Sequence, residues 1–250
     1  MEINLGNVIP ISTVDWYRKS ACVVFFSGCN FTCPYCQNYK LLSHKNIVNI
    51  QTVEKQIFDA GMFISSVVFS GGEATLQYDA LRRLAKFSKG LGLCVGIQTN
   101  GSNPTHLKEL IKQKNLDKIF LDIKADPRNT KKYDNIVSYE GALSNVLQTL
   151  SITDIPIETK TTIFKSLNDS LEIAKYLVDI GFKQTYVIQQ GVLVDNISQN
   201  ELFTTDEIKE LAIDIKNKTK IQNIKIRTKE LGEELIKFGG EINGHDKIHT

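Results

Sequence analysis

The strongest constraint on the fold is a regular alternation of short β-branched or apolar runs with longer amphipathic ones. Runs of the first kind lie near 22–27, 65–70, 93–99, 117–123, 156–163, 184–190 and 222–227, and their composition reads as strands. Helical periodicity falls between them, near 52–61, 77–89, 104–114, 139–151, 168–180 and 204–218. Asn103 is expected to cap the third helix, with Pro104 at its first position. Gly181 marks a helix stop. A last helix is expected near 229–238, running into Gly239-Gly240 and a polar tail. Strand–helix alternation implies parallel strands joined by right-handed crossovers. Periodicity leaves two outcomes open, an open doubly wound sheet or a barrel, complete or partial. No linker, repeat or low-complexity stretch interrupts the pattern. It predicts one domain over 1–250, with a leader at 1–20, a core at 21–228 and a C-terminal helix and tail at 229–250.

Composition narrows the function classes. A chain of 250 residues is long enough to bury one large core, and α/β barrels commonly run to this size. The net charge is only +2, and the 30 basic residues are dispersed without interleaved aromatics, which argues against a nucleic-acid surface. No stretch approaches a membrane span, and the Met1-Glu2-Ile3-Asn4 start lacks the blocks of a signal peptide, so a cytoplasmic protein with no membrane partner is expected. Three of the five cysteines share one loop, which fits a metal in a reducing compartment better than a disulfide framework. Cys22 and Cys94 sit in apolar runs and read as core residues. No cysteine follows Cys94, so the C-terminal half has no thiolate for an additional cluster.

Directly after the first apolar run and a Ser27-Gly28 turn comes Cys29-Asn30-Phe31-Thr32-Cys33-Pro34-Tyr35-Cys36, a C-x3-C-x2-C spacing. Thiolates suit zinc or iron–sulfur clusters. A structural zinc site or a ferredoxin cube wants four protein ligands. This loop supplies three, which would leave one iron of a 4Fe–4S cube open for chemistry. The plainer alternatives are three buried cysteines, or a zinc site completed by His44.

Polar residues recur at the ends of the following strands. Ser70-Gly71-Gly72-Glu73 would let backbone approach a ligand closely and set a carboxylate beside it. Gln98-Thr99-Asn100-Gly101 reads as a tight turn. Alternation places Asp122 and Lys124 on one strand face, opposite Leu121 and Ile123. Lys160 and Gln189 lie at or near the next two strand ends. His245 and His249 are four apart in the tail, and two ligands alone make no metal site.

With its Tyr35 before the third cysteine, the cysteine loop resembles that of the radical S-adenosylmethionine superfamily, and the later motifs resemble its glycyl-radical-enzyme activase branch. The resemblance spans about residues 9–190, with Ile226-Arg227 echoing a last strand. It implies a partial (β/α)6 TIM-like barrel with the site at the C-terminal strand ends. It implies a 4Fe–4S cluster held by Cys29, Cys33 and Cys36, with S-adenosylmethionine on the remaining iron. The cofactor-binding residues implied are Tyr35, Gly71, Gly72, Glu73, Gln98, Asn100, Asp122, Lys124, Lys160 and Gln189. Gly71-Gly72-Glu73 would hold the amino group of S-adenosylmethionine, and Lys124 would lie near its carboxylate. Gln98 departs from the aspartate usual in the family, which weakens any monovalent-cation site there.

Ser12-Thr13-Val14-Asp15-Trp16 resembles the segment that lies where a partner's glycine loop enters, although Tyr17-Arg18 replaces the usual Pro-Gly. Asp15 and Lys124 are the candidate catalytic residues. The implied reaction is reductive cleavage of S-adenosylmethionine to a 5′-deoxyadenosyl radical, which takes hydrogen from a glycine of a partner enzyme. Anaerobic ribonucleoside-triphosphate reductase is the preferred partner and pyruvate formate-lyase the next, with a flavodoxin or ferredoxin-type reductant. The rivals are a radical enzyme acting on a small metabolite, such as a deazapurine or cobamide precursor, and a non-catalytic iron–sulfur electron carrier.

Overall fold

The computed structural model describes residues 1–195 and 197–237. The first half contains β1 (Glu2–Ser12), β2 (Ala21–Phe26), α1 (Tyr39–Ser43), β3 (Ile47–Asn49), α2 (Ile50–Ala60) and β4 (Ser66–Gly71). A 3-10 turn at Ala74–Gln77 leads into α3 (Tyr78–Gly90), then β5 (Cys94–Thr99), α4 (Pro104–Lys112) and β6 (Lys118–Asp122). Next come α5 (Thr130–Val137), α6 (Ala142–Leu150), β7 (Ile157–Ile163), α7 (Ser170–Asp179) and β8 (Tyr186–Gln190). The described chain ends with α8 (Thr205–Thr219), β9 (Ile224–Thr228) and β10 (Gly232–Leu235).

All the strands join one sheet in the order β10-β9-β8-β7-β6-β5-β4-β2-β1-β3, and its two edges do not meet. From β2 through β9 every neighbouring pair is parallel. The result is a mostly parallel, unclosed α/β sheet, a partial TIM-like barrel. The resemblance implied six strands. Here β2, β4, β5, β6, β7, β8 and β9 make seven parallel strands, and antiparallel strands are added at both edges.

Two segments differ from expectation. Most of the leader is a strand, with Leu5 opposite Phe26 and Ile9 opposite Val23 on β2. The helix expected near 229–238 is instead the hairpin strand β10, paired with β9. Gly232 takes φ +69°, and Glu233 lies opposite Arg227, so ion pairing across the ladder favours a strand here. Of the expected tail, Gly239, Gly240, His245 and His249 lie outside the described residues. Asn103 does precede α4, but its side chain does not cap it; the amide donates to Thr75 Oγ1 at 2.8 Å instead.

Alternation along the parallel strands creates two environments. One face carries Val24, Phe69, Ile97, Leu121 and Ile188, packed with helix residues such as Val53 and Leu84 in the main core. The opposite, concave face carries Val23, Val68 and Phe120, and Trp16 from the β1–β2 connection covers them. Trp16 is 7% exposed and meets Phe120 edge-to-face, with ring centroids 5.5 Å apart. A Cβ at position 96 would come within 2.8 Å of the indole, so Gly96 makes the room for this plug.

A charge network crosses the same concave face. Glu158, 2% exposed, accepts from Lys118 Nζ at 2.8 Å and from Arg227 Nη2 at 3.1 Å. Arg227 and Lys225 both pair with Glu233, tying β6, β7, β9 and β10 together. Removing one partner from a buried ion pair strands the other charges. Glu158→Ala is therefore expected to lower the unfolding free energy by about 3 kcal/mol, measured by urea denaturation of the apo protein.

Candidate active site

The cysteine loop leaves β2 through the buried Ser27 and through Gly28, whose φ is +90°. Its path is set by backbone bonds to three separate elements. Gly28 N–H donates to Leu41 O at 2.8 Å, Thr32 N–H to Val137 O at 2.9 Å, and Glu73 N–H to Gly28 O at 2.9 Å. Cys36 N–H closes a turn onto Cys33 O at 3.2 Å. The three thiols are partly exposed at this end of the sheet. Tyr35 points away from solvent and packs on Phe164, with centroids 5.4 Å apart.

Gly71 and Gly72 are needed for packing within the chain itself. A Cβ on Gly71 would lie 2.1 Å from Phe26 O, and one on Gly72 would lie 2.1 Å from Gly28 O. The close approach is to the chain's own backbone, at the end of β2 for Gly71 and at the start of the cysteine loop for Gly72, and Gly71 also has φ +121°, which side chains resist.

Glu73 is fully buried and engaged by the protein. Its carboxylate accepts from Thr75 N–H and hydroxyl, from the Thr99 hydroxyl at 2.9 Å, and from Asn100 N–H at 2.8 Å. Burial pushes its pKa up, and these donors oppose the shift. The side chain thus joins the end of β4 to the Gln98-Thr99-Asn100-Gly101 turn. A cationic ligand group at this segment would meet backbone rather than a free carboxylate.

Gln98 bridges two neighbours. Its Oε1 accepts from Ser70 Oγ at 2.9 Å, and its Nε2 donates to Asp15 Oδ1 at 3.0 Å. Asp15 also accepts from the Ser12 hydroxyl. The departure from aspartate at position 98 then has a physical reason, since a carboxylate there would face Asp15 with no donor to offer.

Asp122 sits between Lys124 Nζ at 2.9 Å and Lys160 Nζ at 3.4 Å. Burial would raise the Asp122 pKa, but the two lysines outweigh it and hold the carboxyl below its ordinary value. For Lys124, burial favours the neutral amine, yet Asp122 and the field of Cys33 keep it well above its usual value. Gln189 lies one strand further round and accepts from Arg227 Nη1 at 3.4 Å, so it belongs to the charge network. The Asn100 side chain turns toward the cysteine loop. Its amide donates to Asn30 Oδ1 at 3.0 Å and to Cys29 Sγ at 3.7 Å.

Glu73, Gln98, Asn100, Asp122, Lys124 and Lys160 thus sit at the same strand ends as the thiols, with Asp15 reaching in from the leader. Tyr35 packs sideways and His44 is exposed. Two further polar members, Asn30 and Ser70, lie inside motifs that the sequence singles out but were not among the expected site residues. Strand-end alternation could have found Ser70.

Among the described residues, no group of three or more His, Cys, Asp or Glu side chains is compact enough for a single metal ion, so His44 completes no zinc site. An iron–sulfur cube takes one thiolate per iron and spreads its ligands more widely. The donor set suits it, with three thiols on one clamped loop and the cation Lys124 acting on both Cys29 and Cys33. Burial is the largest cause that pushes the free Cys29 thiol up to about 11, against the Phe31 N–H and Lys124, and metal binding would reverse that protonation.

Gln98→Glu is expected to set two carboxylates within bonding distance and to raise the pKa of one of them. A group with a raised folded-state pKa favours folding at low pH and loses that contribution as pH rises. The variant should therefore be roughly 1–2 kcal/mol less stable than the parent at pH 8, with the deficit shrinking below about pH 5. Thermal unfolding across pH checks this.

Comparison with known proteins agrees with this geometry. A protein of Methanocaldococcus jannaschii, provisionally named a glycyl-radical enzyme activating enzyme, is 30% identical over 76% of this chain and 80% of its own length. The pyruvate formate-lyase-activating enzyme of Clostridium pasteurianum is 28% identical over 63% of this chain and 68% of its own. The structure of Streptococcus suis SuiB bound to S-adenosylmethionine superimposes with a TM-score of 0.60 at 15% identity, covering 82% of this chain and 52% of that one, a likeness of fold. The family described as the Radical SAM superfamily matches residues 23–202. That match covers well over half of the chain, and the chain belongs to the radical SAM superfamily of enzymes.

Proposed function

We propose that the protein is an activating enzyme that installs a glycyl radical on a partner enzyme, with anaerobic ribonucleoside-triphosphate reductase the first candidate and pyruvate formate-lyase the second. The observation that carries this is the 30% identity to a relative named for that activity, spread over 80% of the relative's length. The unclosed sheet supports it as well, because a concave face open between two sheet edges admits a loop of another protein. Superfamily membership implies a 4Fe–4S cluster and S-adenosylmethionine.

In this proposal Cys29, Cys33 and Cys36 would hold the 4Fe–4S cluster through three thiolates, which would leave it a position for S-adenosylmethionine. Bound together, the two groups supply one-electron reductive cleavage of a sulfonium and abstraction of a hydrogen atom. The chain's own residues position and shield that chemistry. Lys124 and Lys160, already paired with Asp122, offer donors to a carboxylate, and Asp122 offers an acceptor to an ammonium. Gly72 and Glu73 contribute backbone groups beside the cysteine loop. Asp15, steadied by Gln98, meets the incoming glycine segment. A flavodoxin or ferredoxin-type protein delivers the electron.

Two measurements test this. Cys33→Ala is expected to lose most of the cluster iron, and near-parental iron content would refute the ligand assignment. Reduced protein, S-adenosylmethionine and the source organism's anaerobic ribonucleotide reductase, mixed without oxygen, are expected to give a glycyl doublet in electron paramagnetic resonance. One equivalent of 5′-deoxyadenosine should accompany each radical. Deoxyadenosine without a protein radical, repeated with pyruvate formate-lyase as partner, would overturn the activase assignment in favour of a small-molecule substrate.

A further inference from the structure

We infer that Asn100 sets the reduction potential of the cluster through a hydrogen bond from its side-chain amide to the sulfur of Cys29, an inference that rests on the three-cysteine ligation proposed above. The geometry identifies which atom faces the sulfur. Ser102 N–H donates to Asn100 Oδ1 at 2.9 Å, so the oxygen of the amide is turned toward the backbone. Nδ2 is then left toward the loop, where it donates to Asn30 Oδ1 at 3.0 Å and lies 3.7 Å from Cys29 Sγ. The Ser102 backbone N–H can only donate, and this fixes the Asn100 amide; the Ser102 hydroxyl, 3.4 Å away, also reaches Asn30 Oδ1. A rotated Asn100 would face that oxygen with its own. The amide is therefore locked by three neighbours, and its second proton has the sulfur as its acceptor.

The same sulfur also receives Phe31 N–H at 3.4 Å. Cys29 thus collects one backbone donor and one side-chain donor, whereas neither Cys33 nor Cys36 accepts from a side chain among the described residues. Asn100 is 5% exposed, so water competes little for its protons. Its backbone N–H is held by the buried Glu73 carboxylate, which fixes the residue at both ends.

A hydrogen bond to a cluster thiolate withdraws electron density from the sulfur. It stabilises the reduced, more negative cluster over the oxidised one and so raises the potential. The donor is aimed at one ligand, so the effect belongs to the iron bound by Cys29. In this assignment Asn100 is a positioning and tuning residue, acting on the cluster through Cys29 rather than by touching S-adenosylmethionine.

The test uses the reconstituted holoprotein without S-adenosylmethionine, titrated anaerobically against redox mediators. Asn100→Leu keeps the size of the side chain and removes the donor. Its reduced-to-oxidised ratio at a given potential is expected to fall by about tenfold, a midpoint shift of about −59 mV for a one-electron couple. Iron and sulfide content should match the parent. An unchanged midpoint with an intact cluster would overturn the inference and leave the ligation proposal standing. Parental protein that takes up no cluster would instead sink the ligation proposal itself. If Asn100→Leu does not retain the cluster, the parental protein decides alone. With asparagine labelled by 15N in the side chain, the reduced cluster should show a 15N coupling in pulsed electron paramagnetic resonance, and its absence would overturn the assignment.

Discussion

The cysteine loop keeps its shape because β4 delivers two residues without side chains beside it. Phe26 O accepts from Gly72 N–H at 2.9 Å, and Gly28 O accepts from Glu73 N–H at the same distance, so strand pairing continues past the end of β2 into the loop. Side chains at Gly71 or Gly72 would collide with that backbone. Glu73 then carries the constraint across to β5, because its buried carboxylate binds Thr99 and the backbone of Asn100. Asn100 in turn reaches back to Cys29 and Asn30. The circuit closes on itself. Each member has its polar groups satisfied by the next, which is how a buried carboxylate is tolerated at this position.

The alternation of apolar and amphipathic runs made the parallel core legible in the sequence, because each strand is buried on both faces or nearly so. It did not show the edges. β1 reads poorly as a strand because Ile9, Pro10 and Ile11 follow one another near its end, all exposed, with no alternation. β10 is four residues long and rich in acidic side chains, a composition that local propensity assigns to helix. Only the cross-strand pairing of Glu233 with Lys225 and Arg227 makes it a strand, and that is a tertiary fact. At the site, residue types were legible and their directions were not. Glu73 is where the motif places it, but its carboxylate turns inward. Gln189 is at a strand end, but it serves Arg227.

The concave face explains why chemistry is confined to one end of the sheet. Trp16 and Phe120 close the lower part with apolar surface, and the Lys118–Glu158–Arg227–Glu233 network runs beside them, with Glu158 opposite Phe120 in the strand register. What remains open is the rim, where the thiols, Asp122 with its two lysines, and the Asp15–Gln98 pair all lie. The leader contributes to both parts, since neighbouring residues supply the plug and a rim carboxylate. Moving Trp16 would therefore move Asp15, and the apolar contact at the bottom of the barrel fixes a polar group at its mouth.

The charges at that rim have a consistent sense. Lys124 acts electrostatically on Cys29, Cys33 and Asp122 together, and it stays protonated despite burial chiefly because the Asp122 carboxylate pairs with it. The proposed cluster with thiolate ligands would add negative charge at the same place, next to the same ammonium. Without the cluster it is balanced by Asp122. Lys160 is a second partner for Asp122 at 3.4 Å, which under the proposed function would leave Lys124 donors for a ligand carboxylate. Two lysines on one aspartate leave a net positive charge at this end of the sheet, which is the sign that the anionic ligand of the proposed function would need.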